Sequence, residues 1–317
     1  MPAGQLKNAA PLGARSAGQS ATLNPPAHLP PLLIVTRTGR DYRPGPRQRI
    51  ERVARRVASK MLSSLQKRVM RYCESLGGMD EIEEFFDDRQ RAWCVHCGAW
   101  IADVETNWDH VPSKSLLDRP LPAYVPQVEI CRTCNSGFSL DEEYLVAFLS
   151  CVLAGSTDPD AQENPRVQRA LARNPALHSR IESSRRVYST LGGEDRVIWE
   201  PETERIHRVV LKNAGGHAFF EFGEPMLEEP DHVSAMPLVS MTALQRVAFE
   251  TVGAGGEIAG WAEVGSRMMT RQLTGQDMDG GWVVAQPGVY RYAVFQNGSI
   301  TVRSVIREYL ATEVFWS

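Results

Sequence analysis

The sequence predicts an α+β protein: a small cysteine-stapled module at residues 91–155, a basic helix ahead of it and a separate α+β domain behind it. Three observations carry this. Two Cys-x-x-Cys pairs, Cys94/Cys97 and Cys131/Cys134, enclose 33 residues. Upstream, Ile50, Val53, Val57, Met61, Leu65, Val69 and Tyr72 recur at steps of three or four, the stripe of one helix. Downstream, Tyr290, Tyr292 and Val294 alternate with other residues, Asn297-Gly298 supplies a type I′ turn signal, and Ile300, Val302 and Val305 follow, so a hairpin is expected.

Each element has a local reason. Residues 1–48 hold eight of the 20 prolines, scattered among Gly, Ala, Ser and Asn without periodicity, which predicts a disordered arm with no packed core. In residues 49–75, Arg52, Arg55, Arg56, Lys60, Lys67, Arg68 and Arg71 fill much of the helix outside its apolar stripe, and Gly77-Gly78 end it. Residues 79–88 read as a shorter acidic helix with Ile82, Phe85 and Phe86 as its apolar side. Beyond the module, helices are expected at 165–171 and 177–191, then a mixture of strands and helices after Gly193.

A chain of 317 residues is long enough for about two domains. With 43% hydrophobic and 23% charged residues it has an ordinary globular composition. No apolar run approaches the roughly 18 residues that cross a bilayer, and no secretion signal is visible, so a cytoplasmic protein is expected. Net charge is −3, yet residues 1–75 carry 14 Lys or Arg against three acids, so they hold +11 and the remainder −14. That basic end makes Arg52, Arg55, Arg56, Lys60 and Lys67 candidate nucleic-acid contacts. The competing reading is a solvated amphipathic helix paired with the acids of residues 80–88. Arg outnumbers Lys 30 to 5 along the whole chain, which weakens Arg richness as a signal.

Of the six cysteines, four sit in the two pairs, while Cys73 and Cys151 are single. This pattern fits a reduced compartment and a metal site better than a disulfide framework. Each Cys-x-x-Cys makes a tight knuckle, and two knuckles supply the four soft ligands of a tetrahedral structural zinc. Such a cage is closed and does no chemistry of its own. His96, inside the first knuckle, reads as a solvated residue, with replacement of one cysteine as the other option. His28, His178, His207, His217 and His232 show no ligand spacing and are expected at the surface or in loops.

Inside the enclosed loop stands Trp108-Asp109-His110-Val111-Pro112, and Asn135 follows Cys134 directly. Cys-x-x-Cys, Asp-His-x-Pro and Cys-x-x-Cys-Asn, in that order, resemble the HNH (His-Me finger, ββα-metal) nucleases over about 60 of the 317 residues. The resemblance implies a β-hairpin and a helix around one hard metal ion, in a metal-dependent endonuclease acting on DNA, with RNA as the other candidate substrate. It implies His110 as general base, with Asp109 and Asn135 on Mg2+ or Mn2+. The residue chemistry agrees. Imidazole titrates nearest neutrality and can take a proton from water. Carboxylate and amide oxygens are hard ligands suited to Mg2+ or Mn2+, and the ion would clamp the scissile phosphate electrostatically. Adjacent strand residues face opposite sides, so Asp109 and His110 converge only where the strand ends, an ending that Val111-Pro112 supplies.

Ser139-Leu140-Asp141-Glu142 reads as a capping box that starts a helix running to about Leu153. Asp141, Glu142 and Glu143 then serve as first-turn dipole partners, with one of them an additional candidate metal ligand. Typical family members carry an Asn shortly before the second knuckle. Here the stretch is Val125-Pro126-Gln127-Val128, so either Gln127 stands in or the role is lost. Lys114 is a candidate phosphate contact. Residues 205–219 and 287–316 are faintly similar to bacterial proteins carrying the same module, with no activity implied. The C-terminal domain is expected to recognise substrate, join copies of the chain into a homo-oligomer or regulate cleavage. The main rival to catalysis is a non-catalytic zinc-knuckle protein that binds nucleic acid through the same residues. A further rival is an interaction protein whose function lies in the C-terminal half.

Overall fold

The computed structural model describes residues 34–37, 79, 91–189, 193, 195–252 and 262–317. The basic helix expected at 49–75, with Arg52, Arg55, Arg56, Lys60 and Lys67, lies outside these residues, as do Cys73, His28 and all but Met79 of the expected acidic helix. Strand β1 (Ile34–Arg37) lies within the stretch read as an unpacked arm. The cysteine module follows. β2 (Thr106–His110) pairs antiparallel with β3 (Gln127–Cys131), Thr106 opposite Cys131 and His110 opposite Gln127.

Helix α1 (Arg132–Ala154) begins on the residue after β3. This is earlier than the expected capping box, because Cys131 is the N-cap: its Sγ accepts from the Cys134 N–H at 3.3 Å. A sulfur at the strand's end satisfies an orphan helix donor, so the helix starts on the knuckle itself. Ser139 therefore sits inside α1, donating to the Ser136 carbonyl at 2.8 Å.

Helices α2 (Pro165–Arg173) and α3 (Pro175–Ser183) each open on Pro behind an Asn cap, Asn164 and Asn174. The helix expected over 177–191 stops at Ser183, because the chain turns into β4 (Arg185–Ser189) and pairs with β5 (Asp195–Trp199). β1 takes the other edge of β5, giving the order β1-β5-β4.

Helix α4 (Thr203–Phe222) is capped by Gly223 in the left-handed region. Strand β6 (His232–Pro237), α5 (Ala243–Glu250) and α6 (Arg267–Thr274) lead into a meander. It consists of β7 (Met278–Asp279), β8 (Trp282–Gln286), β9 (Tyr290–Gln296), β10 (Ile300–Ile306) and β11 (Leu310–Trp316). These strands and β6 form an antiparallel sheet in the order β6-β11-β10-β9-β8-β7. The expected hairpin is β9–β10. Its loop spans three residues, 297–299, with Gly298 at φ +69°, in place of a two-residue type I′ turn.

The fold is thus mixed α+β, with a C-terminal sheet separate from the β2–β3 hairpin. Buried residues on both sides of residue 155 belong to one cluster. One core runs from Tyr144 and Phe148 of α1 through Trp199 and Ile206 to Tyr292 and Val302 of the large sheet. α4 causes this continuity, since it packs against α1 and also against β9, β10 and β11. The loop after β2 is tied to the same sheet: Arg307 Nη2 donates to Asp118 Oδ1 at 2.6 Å, and Gln286 Oε1 accepts from the Asp118 N–H at 2.8 Å. A smaller core of Val95, Val111, Val128, Ile130 and Phe220 lies among the knuckles, the hairpin and α4. Among the described residues no helix is long and apolar enough to cross a membrane.

Candidate functional site

The first knuckle closes by two backbone hydrogen bonds, Gly98 N–H to Cys94 O and Cys94 N–H to Ala99 O, both 2.8 Å. Gly98 sits at φ +67°, where a side chain would be strained. Trp93 and Trp100 bridge across the turn with their rings edge to face at 4.6 Å. The second knuckle is the end of β3 and the first turn of α1. The two meet where the Cys131 N–H donates to Cys94 Sγ at 3.4 Å. All four sulfurs lie within 4.8 Å of one another, and Cys97 and Cys131 are 3.7 Å apart. Sulfurs bound at ~2.3 Å around a tetrahedral zinc stand about 3.8 Å apart. Donor set and spacing are therefore compatible with a structural zinc. Burial raises the Cys131 thiol, but hydrogen bonds from Cys134 and the neighbouring cysteines outweigh it and hold the group below its ordinary value. No other group of three or more His, Cys, Asp or Glu among the described residues is placed to share an ion.

His96 is not the solvated residue expected. Its ring packs edge-on against Phe138 at 4.9 Å, and burial, assisted by the Lys212 charge, pushes its pKa down to about 3.

Strand β2 alternates as a strand must. Trp108 and His110 line an open cleft of about 500 Å³ together with Lys114, Tyr124 and Gln127, whereas Asp109 between them is buried. Trp108 is 62% exposed. Gln127 reaches this cleft as the cross-strand partner of His110. Burial, followed by the charges of Lys114 and Lys212, pushes the His110 pKa down to about 4, so the ring is neutral near pH 7 and able to accept a proton.

Asp109 has a different set of neighbours. Its Oδ1 lies 2.9 Å from Nζ of Lys212 on α4. The same ammonium donates to Ser113 Oγ at 3.0 Å and to Glu142 Oε1 of α1, with the Phe138 ring 5.6 Å away. Ser113 Oγ donates to Glu142 Oε1 at 2.7 Å, and its N–H donates to Asn213 Oδ1 at 2.8 Å. Burial raises the Asp109 carboxyl above its ordinary value, with Lys212 pulling the other way. Asn135 is half-buried on α1 and does not line the His110 cleft. Its spacing to Phe138 and Glu142 puts it on the helix face that meets Lys212. The structure thus gathers Asp109, Glu142 and Lys212 in one cluster and sets His110, Lys114 and Gln127 around the adjoining cleft.

The acids of α1 are not first-turn residues. Asp141 accepts from Arg208 Nη1 at 2.5 Å and pairs with Arg205 at 3.3 Å, so Arg205, Arg208 and Lys212 form one cationic edge of α4 against α1. Glu143 stays exposed.

Sequence reasoning missed Lys212, Asn213 and Gly216. One signal was present: Lys212 is the single lysine beyond Lys114, set between Val209-Val210-Leu211 and Gly215-Gly216. It also misplaced His217, which is fully buried against Tyr290 and Tyr292. A larger cleft of about 570 Å³, lined by Glu224, Glu228, Asp231, Gln296 and Trp316 among others, holds none of the candidate residues. No protein-family model, curated protein or solved structure matches this chain.

Proposed function

We propose that the chain is an HNH-type endonuclease that hydrolyses phosphodiester bonds in DNA, with His110 as general base and zinc in the four-cysteine cage. The observation that carries the reading is the position of His110. It faces an open cleft beside Trp108 and Lys114, on a hairpin whose other end is held by Cys131 of the cage. Neutral His110 takes a proton from a water aligned on phosphorus. The bond from water oxygen to phosphorus forms as the ester bond to the departing sugar oxygen breaks, and that oxygen takes a proton from solvent. The Lys114 ammonium offsets charge on the phosphate, and the exposed indole of Trp108 offers a face for a base to stack on. Zinc would be held by Cys94, Cys97, Cys131 and Cys134, supplying folding free energy and no chemistry.

The Mg2+ or Mn2+ expected on Asp109 and Asn135 does not fit the observed cluster, because the Asp109 carboxylate already faces the Lys212 ammonium. The same pairing favours a second reading, a non-catalytic zinc-knuckle protein that binds nucleic acid. A supercoiled-plasmid assay with zinc-loaded protein, with and without added Mg2+ or Mn2+, separates the two. Conversion to nicked circles supports the endonuclease. Retention in a gel without nicking supports the binding module, and neither outcome defeats both.

A further inference from the structure

We infer that Lys212 is a built-in cation of this site, seated between Asp109 and Glu142 where the HNH resemblance places a divalent ion on Asp109, and that the native chain binds no such ion there. Three hard oxygens converge on its Nζ: Asp109 Oδ1, Ser113 Oγ and Glu142 Oε1. Oxygens of these types gather around Mg2+ or Mn2+, but at about 2.0–2.1 Å and with several waters retained. An ammonium 2.9 Å from the same Asp109 oxygen takes that place, and its side chain is only 3% exposed.

The seat is built for it. Ser113 is fixed by Asn213, the residue next to Lys212. Gly216, one turn further along α4, brings the helix against Val111, immediately after the Asp109-His110 pair. The two carboxylates and the ammonium leave one net negative charge. Without the ammonium, two carboxylates would face each other in a mostly buried space, the charge arrangement that attracts a divalent ion. Lys212 is therefore a positioning residue. It holds Asp109 inward and so fixes the end of β2 that presents His110 to the cleft.

The assignment rests on the endonuclease reading only for where a divalent ion would belong. Ion binding is measured without nucleic acid, so a protein that never nicks DNA leaves the result standing. The experiment titrates Mn2+ into the zinc-loaded full chain, following free Mn2+ by its electron paramagnetic resonance signal and thermal unfolding in parallel. The native chain should leave both the signal and Tm unchanged. Lys212→Ala, and Lys212→Met, which keeps the apolar stem, should start with a lower Tm. They should then take up Mn2+ that the native chain leaves free, with the signal lost in proportion and Tm rising by about 5 °C at saturation. Adding Asp109→Asn should abolish that uptake. Mn2+ bound by the native chain and lost in Asp109→Asn overturns the assignment. So does a folded Lys212→Met that takes up no Mn2+. The titration of the native chain needs no variant to fold.

Discussion

Gly216 of α4 lies directly on Val111, the first residue after β2: a Cβ placed on it would stand 2.8 Å from Val111 Cγ2. The contact sets how closely α4 approaches the hairpin, and so where Lys212, four residues earlier on the same helix face, meets Asp109. Gly216→Ala gains helix propensity of up to about 1 kcal/mol. It also forces a branched, buried side chain to move, an overpacking that costs about 1–3 kcal/mol. Net destabilisation is expected, read as a lower urea midpoint. An unchanged or higher midpoint would show that the approach of α4 is not set here.

The four-cysteine cage makes stability depend on metal. Cys94→Ser removes a buried sulfur that also accepts the Cys131 N–H. Zinc content should fall, and the melting temperature with it, because binding free energy of a structural zinc is folding free energy. Elemental analysis beside a thermal scan checks both. A variant with full zinc and native Tm would remove Cys94 from the cage.

Trp108 is 62% exposed in the cleft, so truncating it should cost little stability. If bases stack on it, Trp108→Ala should weaken retention of a single-stranded oligonucleotide by about 5- to 150-fold, the range that follows from ~1–3 kcal/mol per stacked base. Circular dichroism and zinc content should stay native. Equal affinity for both proteins would place the nucleic acid elsewhere.

His217 predicts an acid-sensitive core. Its ring stacks on Tyr292 at 3.7 Å, and its Nε2 meets the Tyr290 hydroxyl at 3.0 Å. Glu221 accepts from the Tyr292 hydroxyl at 2.6 Å, and Arg271 pairs with Glu221 at 3.0 Å. Burial, and then the Arg271 charge, pushes the His217 pKa from its ordinary 6.5 down to about 3. The unfolded chain therefore takes up this proton first. Its contribution to stability is complete above pH 6.5 and is lost by about 1.4 kcal/mol per pH unit as pH falls toward 3. His217→Phe should flatten the acid limb of the stability curve by that slope. An identical slope in the two proteins would mean that His217 is protonated in the folded state.

What could be read from the sequence was what is local. Cys94/Cys97 and Cys131/Cys134 announce a metal cage because ligand spacing is itself the chemistry. β9 and β10 announce themselves by alternation around Asn297-Gly298. The start of α1 was hidden, since its cap is the sulfur of Cys131 and not a Ser, Thr, Asp or Asn. β4 was hidden because its pairing with β5 overrides a helix-prone stretch. Lys212 was hidden by distance along the chain: it lies 103 residues from Asp109, and only the packing of α4 on the hairpin brings the two together. Strand alternation explains the remaining surprise, the side chain of Asp109 facing Lys212 while those of Trp108 and His110 line the cleft.

The most direct test compares the native chain with His110→Ala on supercoiled plasmid, at matched zinc content and matched DNA retention. The account predicts nicked circles from the native chain and none from the variant. Equal nicking by both proteins would contradict it.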